Sequence, residues 1–165
     1  MSLRARDIMQ AKVQVVNPGM TLTDLERAFL SDGVNGYPVV DDGRLVGIVS
    51  RSDIVRQLSV EQTLAEQLSD FYTDLSGSSS SADPRESFEE IGARVGTRIE
   101  SMRVEDVMIH RLVTVSPDDG LRDVARTLLE NEIHRAPVTE EGRLVGIITA
   151  TDVVRLVAEG RLGGD

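Results

Sequence analysis

Cysteine is absent from the 165 residues, which excludes disulfides, thiolate metal sites and thiol nucleophiles together. Histidine is scarce, with only His110 and His134 in the chain, and no pair of carboxylates stands at a spacing that marks acid–base work. With no catalytic constellation in view, an enzyme is not expected. Basic charge is short as well: 18 Lys and Arg against 28 Asp and Glu leave a net charge of −10. A non-specific grip on nucleic acid or on an anionic membrane needs a basic face, so neither partner is expected. No apolar run approaches the length that spans a bilayer, and the opening MSLRARDIMQ lacks the apolar stretch of a secretory signal. The expectation is a cytoplasmic protein. At 40% apolar content it can bury a core, over a length that suits one domain or two small ones.

What is present is a repeat. Residues 4–58 align with residues 103–157 at a constant offset of 99 without a gap, and 20 of the 55 positions are identical. GRLVGIVSRSDIVR, Gly43 to Arg56, returns as GRLVGIITATDVVR, Gly142 to Arg155. Four of the five prolines fall into two matched pairs, Pro18 with Pro117 and Pro38 with Pro137. This is a duplicated unit, and it divides the chain into residues 1–58, an insertion at 59–102 and residues 103–165.

In the first copy, Val13 to Val16 is a short β-prone run stopped by Asn17-Pro18-Gly19. Thr21 caps a helix with Asp24 at its third position, Leu22, Leu25, Phe29 and Leu30 give it an apolar stripe, and Gly33 ends it. Tyr37 to Val40 is a strand that opens near its proline, Asp41-Asp42-Gly43 is a hairpin turn, and Leu45 to Val49 returns. A helix follows from Ser52. The second copy repeats this order with Val113 to Val115, Leu121 to Glu130, Pro137 to Thr139, Leu144 to Ile148 and Asp152 to Ala158. Each copy therefore reads β-α-β-β-α, an α+β fold, and two copies too small to be stable singly should pack with pseudo-twofold symmetry.

The insertion carries nine acidic and three basic side chains, −6 of the total charge. Leu64, Leu68, Phe71, Tyr72 and Leu75 extend a helical stripe, a flexible loop is expected near 76–86, and Ser87 with Glu90 caps a second amphipathic helix bearing Phe88, Ile91, Val95, Ile99 and Met102.

Ser50 and Asp53, like Thr149 and Asp152, stand at the first turn of a helix. A hydroxyl and a carboxylate there can serve as a cap worth on the order of 1 kcal/mol. The same helix N-terminus can also receive phosphate through backbone N–H groups, while a carboxylate can hold the two hydroxyls of a ribose. His134 and Arg135 precede Pro137 and add positive charge, with a guanidinium fork suited to phosphate oxygens. Their first-copy equivalents, Asn35 and Gly36, carry none.

The ordered set Asp7-Ile8-Met9, Pro18, Tyr37-Pro38-Val39 and Gly47 to Asp53, with its second set Asp106-Val107-Met108, Pro117, Ala136-Pro137-Val138 and Gly146 to Asp152, resembles the cystathionine β-synthase (CBS) domain. That domain commonly occurs as a tandem pair called a Bateman module. The resemblance covers about two thirds of the chain, and His134-Arg135-Ala136-Pro137 is similar to the nucleotide-binding repeats of the AMP-activated protein kinase γ subunit. The insertion is longer than a common linker, and no enzyme or channel domain is seen in the sequence.

The resemblance implies a regulatory module that binds an adenine nucleotide, AMP, ADP or ATP, with Mg²⁺ only as a companion of the nucleotide, and that acts on a partner protein. Its alternatives are an S-adenosylmethionine binder or a dimerisation scaffold with empty clefts. It further implies a homodimer, and clefts in which the turn of one repeat meets the first strand and pre-proline residues of the other. One cleft would join Ser50, Ser52 and Asp53 to Val113, Ile133, His134 and Arg135, with Arg51 as an added cation. The other would join Thr149, Thr151 and Asp152 to Val13, Val34 and Tyr37. On that pairing, loss of Asp53 should harm nucleotide binding more than loss of Asp152.

Overall fold

The computed structural model of the chain describes residues 3–57, 59 and 100–161. The helices expected from Leu64 to Leu75 and from Ser87 to Ile99, and the loop near 76–86, lie outside the described residues. In chain order the elements are helices α1 (Ala5–Ile8) and α2 (Leu22–Asp32) and strands β1 (Gly36–Asp41) and β2 (Arg44–Ser50). Helix α3 follows over 51–57. Then come α4 (Val104–Val107), α5 (Leu121–Glu130), β3 (Arg135–Glu140), β4 (Arg143–Thr149) and α6 (Ala150–Ala158). The fold is α+β, with one four-stranded sheet in the order β1-β2-β4-β3.

Local chemistry accounts for each boundary. Thr21 Oγ1 accepts the Asp24 N–H at 3.2 Å, and Gly33 ends α2 in the left-handed region at φ 65°, so both helix signals operate as the sequence indicates. Each hairpin turns on an acidic residue and a glycine with positive φ, Asp42 (47°) with Gly43 (80°) and Glu141 (51°) with Gly142 (79°). That is the two-residue turn whose twist matches paired strands. Pro38 and Pro137 stand on β1 and β3, the two edge strands, where a missing N–H disturbs the ladder least.

The first strand expected in each copy contracts to a single residue. Val16 bridges Val39 and Val115 bridges Val138, both in the parallel sense. The N–H of Val16 reaches the Pro38 carbonyl at 3.1 Å and the N–H of Val115 the Pro137 carbonyl at 3.0 Å. Pairing stops there because Pro18 and Pro117 follow within two residues and lack an N–H to continue it.

The chain packs as two compact units, and neither coincides with a sequence repeat. Unit 1 comprises Met1–Asn17, Pro38–Ile48 and Ile109–Asp165; unit 2 comprises Pro18–Tyr37 and Val49–Met108. In unit 1 the core gathers Val115, Val124, Leu128, Ala136, Val138 and Ile148 around Ala5 of α1. Helix α1 is held there by backbone bonds, Ala5 N–H to Asp119 O (2.9 Å) and Arg6 N–H to Pro117 O (3.1 Å). Arg4 and Arg6 both reach Asp118 Oδ1, at 3.0 and 2.6 Å. Gly146 of β4 faces Met9: a Cβ there would lie 2.6 Å from Met9 Sδ and 3.1 Å from the Gln10 carbonyl. The first-copy segment Asp7-Ile8-Met9 thus seats on the second-copy Gly146 strand.

Unit 2 buries Leu22, Leu25, Phe29, Tyr37, Val49 and Val104. Here the second-copy helix α4 docks on first-copy backbone, with Val104 N–H to Met20 O at 2.9 Å and Glu105 N–H to Pro18 O at 3.0 Å. Full burial of the Val104 side chain contributes on the order of 2 kcal/mol. The two copies have exchanged their leading helices.

Candidate functional site

Strand β4 runs into α6 at Thr149 without a linker, so the last strand residue is also the helix N-cap. Asp152 Oδ2 accepts the Thr149 N–H at 2.9 Å and the Thr149 hydroxyl at 2.7 Å. The Asp152 N–H in turn donates to Thr149 Oγ1 at 3.2 Å. In unit 2 the pattern recurs: Asp53 Oδ2 accepts the Ser50 N–H at 2.8 Å and the Ser50 hydroxyl at 2.7 Å. The second oxygen of each carboxylate faces an arginine one turn on, Asp53 Oδ1 to Arg56 at 3.1 Å and Asp152 Oδ1 to Arg155 at 3.6 Å.

Burial separates these carboxylates from ordinary caps. Asp53 and Asp152 are 4% and 5% exposed and are the buried charged residues among those described. Asp7 and Asp106 make the same backbone bond, to the N–H of Arg4 (2.8 Å) and Arg103 (2.7 Å), from exposed positions. Capping therefore needs no burial, and burying a carboxylate costs free energy that a cap does not return. In each turn the cap takes Oδ2 and leaves Oδ1 as the oxygen with remaining acceptor capacity.

The basic pair lies beside the second of these turns. In the β3–β4 ladder Arg135 is the register partner of Thr149, and the Ala150 N–H donates to the His134 carbonyl at 2.8 Å. The resemblance groups His134 and Arg135 with the Ser50 turn of the other repeat; within their own repeat the hairpin ties the start of β3 to the end of β4 and so sets their backbone beside Thr149. Both side chains are exposed, and among the described residues neither makes an ion pair. Unit 2 has the same backbone link, Arg51 N–H to Asn35 O at 3.1 Å, without the charge. A Cβ on Gly36 would already lie 3.2 Å from the Val49 carbonyl.

Two expected site residues are committed elsewhere. Tyr37 is 2% exposed, stacks on Phe29 at 5.1 Å between ring centroids, and donates its hydroxyl to Asp32 Oδ2 at 2.7 Å. Its side chain belongs to the core of unit 2. Arg51 donates to the Phe29 carbonyl at 2.8 Å and lies 5.5 Å from the centre of the Phe29 ring, so its charge is turned to α2. Ile133 packs against the unit 1 core. Val34 and Val113 are half-buried, and Ser52 and Thr151 are exposed in the first turn of their helices. Val13 lines a cavity of about 170 Å³ in unit 1 with Ala11, Val15, Val40, Gly43, Leu144, Val145 and Gly146. Sequence reasoning missed Arg56 and Arg155; their spacing of three from Asp53 and Asp152 is the signal that could have found them. Among the described residues no three His, Asp or Glu gather as metal ligands, and no helix is long and apolar enough to cross a membrane.

Residues 5–60 and 104–159 each match the family model of the CBS domain. The chain belongs to the CBS-domain family. This CBS pair is 31% identical over 161 residues to MJ1426 of Methanocaldococcus jannaschii, covering 90% of this chain and 88% of that protein. It spans 42% of the length of a longer relative, MJ1225 of the same organism. The crystal structure of MJ1225 superposes at TM-score 0.68 and 27% identity, over 94% of this chain and 48% of that one. The crystal structure of Arabidopsis thaliana CBSX2 in complex with AMP does so at TM-score 0.68 and 26% identity, over 97% of this chain and 99% of that one.

Proposed function

We propose that this CBS pair is a non-catalytic sensor of adenine nucleotides, taking AMP, ADP or ATP and passing its state to a partner protein. The observation that carries the reading is the Thr149 turn. A buried carboxylate with one oxygen outside the cap lies next to a histidine and an arginine whose side chains make no hydrogen bond or ion pair among the described residues. A ribose diol fits the first feature and a phosphate the second. The AMP complex of CBSX2, whose crystallised chain has a similar length and fold, supports the choice of adenine nucleotide. Any Mg²⁺ would arrive on the nucleotide's phosphates.

Regulation then follows from differential affinity. A ligand shifts a conformational balance only by the ratio of its affinities for the two states. Exposed apolar residues at matched positions, Leu30 with Leu129 and Val55 with Val154, favour a second copy of the chain as one partner of the helices.

Calorimetric titration with AMP, ADP, ATP and S-adenosylmethionine tests the reading. AMP is expected to bind, and Asp152→Ala to lose about tenfold or more. Asp53→Ala should lose less, because His134 and Arg135 sit at the Thr149 turn; this reverses the order expected from the resemblance. No heat with any nucleotide at millimolar concentration, for a folded protein, would leave the scaffold reading; heat with S-adenosylmethionine only would replace the nucleotide by that ligand.

A further inference from the structure

The two oxygens of Asp152 have different duties. Oδ2 is saturated by the Thr149 N–H and hydroxyl, whereas among the described residues Oδ1 makes no hydrogen bond and faces the Arg155 guanidinium at an ion-pair distance of 3.6 Å. The carboxylate is 5% exposed, but the Arg155 side chain is 62% exposed. One partner of this ion pair is fixed by the cap, while the other extends into solvent. The guanidinium balances the charge of Asp152 without bonding Oδ1 at hydrogen-bond length, so a ligand hydroxyl that takes Oδ1 competes with Arg155 for that oxygen.

We propose that Arg155 is a placeholder, holding the Asp152 oxygen that a ribose diol takes and so making nucleoside entry a displacement. The proposal rests on the nucleotide reading above and adds a residue that opposes binding. Arg56 stands in the same relation to Asp53 but closer, at 3.1 Å and within hydrogen-bond length, and in that repeat Gly36 takes the place of Arg135. The Asp152 turn therefore yields first and the Asp53 turn second. Arg155 lowers affinity by the worth of a partly exposed ion pair, which corresponds to about two- to fivefold.

The test is calorimetric titration of the full chain with adenosine and with AMP, for wild type, Arg155→Gln, Arg155→Lys and Arg56→Gln. Arg155→Gln is expected to bind both ligands about two- to fivefold tighter, with Arg155→Lys between it and wild type. Arg56→Gln should tighten the weaker of the two binding steps. If AMP binds wild type but Arg155→Gln binds adenosine no tighter, the placeholder role is overturned. If Arg155→Gln weakens AMP and leaves adenosine unchanged, Arg155 is a phosphate ligand instead. A folded wild type that binds neither compound overturns the nucleotide reading itself, a result distinct from the other two. Because the readout is a gain of affinity, loss of a merely structural contact cannot produce the expected result.

Discussion

Tyr37 is a side chain buried in the core at a position where the resemblance implies a ligand contact. Its hydroxyl pKa is pushed up to about 12, first by burial, then by the hydrogen bond to Asp32 and by the charge of Asp32, with Arg51 opposing. Because the folded value lies above the unfolded value near 10, this contribution to stability is complete below pH 10 and fades as the pH rises toward 12. Tyr37→Phe should cost about 1–2 kcal/mol at neutral pH through the lost bond to a charged acceptor, read by urea unfolding. The variant should also lose less stability than wild type between pH 10 and 12. Tyr37 occupies the position before the strand proline, where the resemblance implies a ligand contact. Its burial was not legible because tyrosine suits a core and a cleft wall equally. Asp53 and Asp152 show the converse: their capping role was legible from a spacing of three, but their burial depends on neighbours distant in sequence.

At the scale of elements, what could be read tracks how local the cause is. Helix α5 runs from Leu121 to Glu130, the span indicated by its apolar stripe, and both hairpins turn where an acidic residue and a glycine meet. These depend on a few adjacent residues. The first strands and the exchanged helices do not: Val16 pairs with Val39, and α1 and α4 have four residues each, too few to display a period. The placement of Arg135 beside Thr149 was missed for a related reason, since it follows from hairpin register and not from any residue type. The contact of Met9 with Gly146 gives an element-scale prediction. Gly146→Ala should destabilise by about 1–3 kcal/mol through overpacking against Met9 and the fixed Gln10 carbonyl. Adding Met9→Ala should restore part of the loss, and unfolding curves of the single and double variants would reveal the coupling.

At the scale of the whole molecule, the repeat was the most legible feature, because an ungapped alignment needs no knowledge of structure. It pointed to the family and to the order of the longer elements, whereas the leading helices and the composition of the compact units had to come from packing. The matched apolar residues carry the prediction at this scale. Light scattering at tens of micromolar should give twice the chain mass, and Leu129→Asp with Val154→Asp should return it to the monomer mass. A monomer for wild type would count against self-association through these helices.

The exchange of leading helices also sets the order in which the protein can fold as it is made. Arg6 leaves the ribosome early, yet its partner Pro117 lies 111 residues downstream. At the usual pace of synthesis that interval lasts roughly 5 to 20 s, during which Ala5 and Met9 have no surface to cover them. Unit 2 waits similarly for Val104. Neither unit can close when the first repeat is complete, so the nascent chain passes the middle of its synthesis with both cores open, and both close late.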